Sequence, residues 1–132
     1  MLTETEVEPY AVADLIDAGA PHVEEETVLD ELLRAPKVLA LLFVDGRRHR
    51  RECHDVAVAL RECLKSYPST LQAGIVPEAT TALDVRCRVV SRPTLVLMHA
   101  GEVIEVICGV RDWSDYAVAL GRYLGEPERG AA

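Results

Sequence analysis

Cysteine and histidine are the side chains of this chain best suited to act as nucleophiles or metal ligands, and three of them gather at His49, Cys53 and His54. Imidazole and thiolate suit zinc or nickel. Cys53 and His54 are neighbours in sequence, so on a helix they point in different directions. No second cluster completes a tetrahedral set. The pattern therefore predicts surface histidines and no metal. The other cysteines are Cys63, Cys87 and Cys108. None of the four forms a C-x-x-C pair, and free thiols are expected. A thiol beside arginines at a helix start can have a lowered pKa, which makes Cys53 a candidate single-thiol sensor. The plainer expectation is an inert, solvent-exposed cysteine.

Arginines dominate the same stretch, Arg47-Arg48-His49-Arg50-Arg51. This run reads either as a solvated loop or as the basic rim of a binding site. It stands out because the chain as a whole carries a formal net charge of −8. That balance argues against nucleic acid or an anionic membrane as partner. The opening MLTETEVEPY lacks the basic and apolar regions of a secretory signal. No apolar run approaches the roughly 20 residues that span a bilayer. The expectation is a cytoplasmic protein without membrane insertion.

The elements that must position these residues follow from hydropathy. Tyr10 to Ala18 reads as a short helix stopped by Gly19. Val28, Leu29, Leu32 and Leu33 share one face of a second helix, closed by Pro36. Val38 to Val44 is continuously apolar, as in a strand buried on both faces. Val56, Ala59, Leu60, Cys63, Leu64 and Tyr67 recur at helical steps, giving a strong amphipathic helix. Leu71 to Val76 reads as a second buried strand, and Glu78 to Leu83 as a weak helix. Residues 94–98 and 103–107 are strands joined by a tight turn at Ala100-Gly101. Trp113, Tyr116, Ala117, Leu120 and Leu124 mark a final amphipathic helix. One domain over 1–132 is expected, with loose ends at 1–9 and 126–132. A strand–helix–strand unit joined to a hairpin predicts a mixed α/β sheet with helices on both faces and a right-handed crossover.

This order, with Arg92-Pro93-Thr94-Leu95-Val96-Leu97 and then Gly101-Glu102-Val103, resembles thioredoxin. The resemblance implies a thioredoxin-like central sheet of about four strands, with Pro93 as a cis-proline before the hairpin. It also implies a Gly after the hairpin, where Gly109 stands. The place of the redox pair holds Gly46 to Arg51, and dithiol exchange needs a second thiol within reach. A narrower match rests on Asp17-Ala18-Gly19-Ala20-Pro21-His22-Val23, Leu32-Leu33-Arg34-Ala35-Pro36, Pro93-Thr94-Leu95-Val96 and Gly109-Val110-Arg111-Asp112-Trp113. These are similar to the hydrogenase expression/formation proteins of the HyaE/HupG type.

That resemblance implies a non-catalytic cytosolic chaperone, without cofactor. Its partner would be the [NiFe]-hydrogenase small-subunit precursor, through its twin-arginine signal peptide, with other maturation proteins as further partners. The implied peptide groove comprises Arg92, Pro93, Arg48, Arg51, Asp112 and Trp113. The backbone beside Arg92 would pair with an extended peptide. Like charges repel over a Debye length of about 8 Å, so a basic peptide should meet acids elsewhere. The candidates are Glu24, Glu25, Glu26, Asp112 and Asp115, each of which also reads as an ordinary surface acid. Trp113 falls on the apolar stripe of its helix, which predicts a core anchor, with the groove rim as the functional alternative. Two other classes stay open: a redox enzyme or sensor using Cys53, and a thioredoxin-fold scaffold subunit.

Overall fold

A computed structural model describes residues 10–45, 49–77 and 81–128. The elements are α1 (Tyr10–Asp17), α2 (Glu26–Leu32), β1 (Val38–Phe43), α3 (Arg50–Ser66), β2 (Leu71–Val76), α4 (Thr81–Cys87), β3 (Thr94–His99), β4 (Glu102–Cys108) and α5 (Trp113–Leu124). The sheet order is β2-β1-β3-β4. β1 pairs parallel with β2, while β3 is antiparallel to both β1 and β4.

β1 is buried along its whole length, and the two-residue period of a strand divides its side chains between two layers. Val38, Ala40 and Leu42 join the core beneath α1, α3 and α5. Leu39, Leu41 and Phe43 join the opposite core beneath α2 and α4. Each fully buried leucine contributes about 2 kcal/mol of apolar burial, which is why the run tolerates no polar residue. On α3 the buried positions are Cys53, Val56, Ala57, Leu60 and Cys63, one helical face.

Turn chemistry agrees with the sequence at the hairpin. Ala100 and Gly101 have φ of 53° and 83°, the left-handed pair that a two-residue turn between twisted strands requires. α4 departs from expectation. Residues 78–80 lie outside the described residues, and the helix runs from Thr81 on to Cys87. Leu83 and Cys87, one turn apart, are its buried positions, while Val85 faces solvent. Residues 126–128, expected as part of a loose end, turn back onto the body. The Glu128 N–H donates to the Ser66 carbonyl at 2.8 Å, and the Glu128 carboxylate accepts from Ser69 N–H at 3.1 Å. Residues 1–9 and 129–132 lie outside the described residues.

One edge of the sheet is closed by the chain before α2. Val23 N–H donates to the Ile75 carbonyl at 2.7 Å, and Ile75 N–H donates to the Pro21 carbonyl at 2.9 Å. This segment crosses close to Gly74, where a Cβ would stand 3.0 Å from both Leu41 Cδ2 and Val23 Cγ2. A larger side chain there must push two core residues apart. Gly74→Val is expected to lower stability by about 1–3 kcal/mol, read from the midpoint of urea unfolding.

Candidate functional site

β1 ends, β3 begins and β4 ends at the same edge of the molecule, where Phe43 pairs with Thr94 and Thr94 with Cys108. The loop entering β3 carries Arg92-Pro93, and this peptide bond is cis, as the thioredoxin resemblance implies. Gly109 N–H donates to the Pro93 carbonyl at 2.8 Å, locking the loop after β4 to the loop before β3. Thr94 Oγ1 donates to the Ser91 carbonyl at 2.8 Å. The Arg92 backbone makes no hydrogen bond to another described residue. Among the described residues its N–H and C=O thus lack backbone partners, which is the condition for pairing with an added chain. Val90, two residues before Arg92, and Val110, next to the Gly109 that bonds Pro93, are exposed apolar side chains, as is Trp113 at the start of α5.

The Arg92 side chain is committed elsewhere. Its two terminal nitrogens donate to the two carboxylate oxygens of Asp84, both at 2.9 Å. The guanidinium lies over the Phe43 ring, 5.5 Å from its centroid. Only 12% of this side chain and 21% of Asp84 are accessible. The Nε atom is buried without a hydrogen-bond partner. Asp84 also shapes the loop through its backbone. Its carbonyl accepts from Val89 N–H at 2.9 Å, and Arg88, with φ of 62°, closes α4 as a left-handed cap. Asp84 was not a sequence candidate; its one signal was an acid eight residues before a candidate arginine.

Cys53 corrects both expectations made for it. It is fully buried rather than solvent-exposed. Its sulfur accepts from Asp45 N–H at 3.4 Å. Burial pushes the thiol pKa up, an effect larger than the lowering by that hydrogen bond or by Arg92. Cys53 is therefore not activated as a thiolate. All four cysteines are free. Among the described residues, no group of three His, Cys, Asp or Glu side chains is placed to hold a metal.

The remaining candidates spread around this end of the sheet. Arg48 lies outside the described residues, and Arg51 is exposed in the first turn of α3. Asp112 is the N-cap residue of α5, without a side-chain capping bond, and Asp115 is exposed in its first turn. Trp113 is not a core anchor: it is 42% exposed, and Tyr116, Ala119 and Leu120 are the buried residues of α5. Glu24 and Glu25 are exposed beside the opposite edge, while Glu26 is paired with Arg86 at 3.3 Å. Arg86 also holds Asp30 at 2.6 Å. Glu24 to Glu26 follow the segment that pairs with β2, and Glu26 and Asp30 face α4 through Arg86.

Asp84→Asn should destabilise the fold by about 1.5–3 kcal/mol, because a charged, largely buried guanidinium loses its anionic partner; urea unfolding measures it. Cys63 gives a pH dependence. Burial pushes its thiol up to about 12, against 9.0 when free. The native state thus favours the protonated thiol, and the unfolded state releases its proton first. Stability should be constant through neutral pH and fall between pH 9 and 12, with a shallower fall in Cys63→Ala.

Comparison with known proteins adds to this geometry. Residues 11–116 match the family described as hydrogenase-1 expression protein HyaE. The hydrogenase expression/formation protein HupG of Rhizobium leguminosarum bv. viciae is 32% identical over 107 residues, covering 77% of this chain and 72% of that protein. The hydrogenase expression/formation protein HoxO of Cupriavidus necator is 30% identical over 128 residues, covering 93% and 78%. Among solved structures, a thioredoxin variant from Halobacterium salinarum gives a TM-score of 0.66 at 23% identity, covering 79% of this chain and 90% of that one. Mitochondrial thioredoxin 3 from Saccharomyces cerevisiae gives 0.67 at 17% identity, covering 80% and 96%. The fold is thioredoxin-like, and the chain belongs to the HyaE family of hydrogenase expression proteins.

Proposed function

We propose that this protein is a non-catalytic cytoplasmic assembly chaperone for the small subunit of a nickel–iron hydrogenase, and that it holds the twin-arginine signal peptide of the precursor before export. The observation that carries this reading is the Arg92 backbone beside Pro93, which has no hydrogen-bond partner among the described residues, with exposed Val90 and Val110 on the two loops joined there by the Gly109–Pro93 hydrogen bond. An extended peptide can hydrogen-bond to that backbone and lay alternate side chains on these apolar residues. The relatives' names, expression/formation proteins, place the family in hydrogenase production. Cys53 speaks against thiol chemistry at this end, since burial raises its pKa and keeps the thiol protonated. Among the described residues no helix is long and apolar enough to cross a membrane.

The chain should co-purify with the small-subunit precursor, and the complex should be lost when the signal peptide is deleted. Binding that survives the deletion would move the site to the mature subunit. In an insulin-reduction assay the protein should show no thioredoxin-like turnover. Turnover that disappears in Cys53→Ser would replace the chaperone reading with a redox one.

A further inference from the structure

A cleft of about 410 Å³ runs along the seam between α3 and α5. Cys63, Tyr67 and Leu120, all buried, lie along its floor. Trp113, Ala117 and Gly121 form the α5 wall, spaced four residues apart on one helix face. The far end is fixed by a hydrogen bond from the Tyr67 hydroxyl to the Gly125 carbonyl at 2.8 Å. From Trp113 to Gly125 the helix rises about 18 Å, enough for about five extended residues. The volume lies in the range of ligand sites, and the lining is mostly apolar.

Among the described residues that line the cleft, Glu126 on its rim is the one charged side chain, and Arg111 stands with the acids near the Trp113 end. Glu126 is close enough to Tyr67 to add to the upward push that burial gives the phenol. Asp112 and Asp115 flank Trp113 at the other end. None of these three acids is in an ion pair among the described residues. The nearby Lys65 faces Glu62 at 3.4 Å.

We infer that this cleft seats a short apolar peptide segment flanked by positive charge, with Glu126 as an acidic contact. The inference deepens the proposed function and rests on it: the segment is the apolar stretch next to the basic end of the signal peptide. Trp113 links the two surfaces along the chain: it heads the cleft and lies four residues after Gly109, whose N–H bonds the Pro93 carbonyl.

The test uses the full chain and a synthetic peptide of two arginines followed by a leucine–alanine stretch. Trp113 is the protein's single tryptophan, so its emission reports on the cleft directly. The peptide should shift that emission to the blue in a saturable titration. Gly121→Leu fills the cleft. A Cβ at Gly121 meets nothing within 4 Å, and leucine is the better helix former, so circular dichroism and thermal midpoint should show an intact fold. Peptide affinity should drop about tenfold or more. Glu126→Lys should weaken binding several-fold at low salt, and the loss should shrink as salt rises.

Unchanged affinity in Gly121→Leu overturns the cleft as the seat. If the precursor still co-purifies with that variant, the chaperone reading stands and its site lies at Pro93 alone. Unchanged affinity in Glu126→Lys overturns the cationic occupant. A wild-type dimer that Gly121→Leu converts to a monomer, with no peptide response, assigns the cleft to a second copy of the chain and overturns the proposal.

Discussion

Asp84 holds the loop before Pro93 in two ways at once. Its carbonyl ends α4 by accepting from Val89 N–H. Its carboxylate grips both terminal nitrogens of Arg92. Between these anchors the chain has little freedom, and Pro93 is delivered to the start of β3 in one orientation. An ion pair on an open surface is worth about 0–1 kcal/mol. This one is largely shielded from water and stacked on Phe43, so losing one partner strands a desolvated charge. The same commitment removes the Arg92 guanidinium from recognition. What the loop offers a partner is its backbone, which cannot read side-chain identity. Selectivity must therefore come from the surfaces on either side.

Two opposing effects meet at Cys53, and magnitude decides between them. A helix start and nearby cations favour a thiolate. Exclusion from water disfavours it more. The thiol is left protonated and tucked against the Asp45 backbone. The strand–helix junction that holds the redox pair in thioredoxin-like enzymes here carries one cysteine turned inward, beneath the start of α3.

Much of the fold was legible because it depends on period and turn chemistry. The buried run Val38–Phe43 could only be a central strand, and Ala100-Gly101 could only be a tight turn. α4 was harder. Its apolar residues include Val85, which points to water, so the sequence pattern blurred the face that Leu83 and Cys87 define. The burial of Cys53 was hidden because depth at a helix start depends on what packs above it. Trp113 sits on the right stripe, but at the first residue of α5, where the helix has only begun to cover the sheet. The Asp84–Arg92 pair joins a helix to a loop across a left-handed cap, which no periodicity encodes. The cleft is an absence of side chain at Ala117 and Gly121, and a count of apolar residues does not register a gap.

The distribution of charge bears on how an acidic chain with a basic loop could accept a basic peptide. Screening over about 8 Å confines each acid to its own neighbourhood. Glu24, Glu25 and Glu26 follow the segment that pairs with β2, and Glu26 with Asp30 is already answered by Arg86 of α4. Asp112 and Asp115 adjoin Trp113, and Glu126 borders the seam that begins there. Asp112 and Asp115 share their surroundings with Arg111, so the acidic contact that the seam itself offers a cationic segment is Glu126. The apolar residues point the same way, since Val110 and Trp113 are carried by the chain that leads from β4 into α5. In the proposed complex, backbone pairing at Arg92, apolar contact at Trp113 and acidic contact at Glu126 would follow the chain from the Gly109–Pro93 hydrogen bond into the seam.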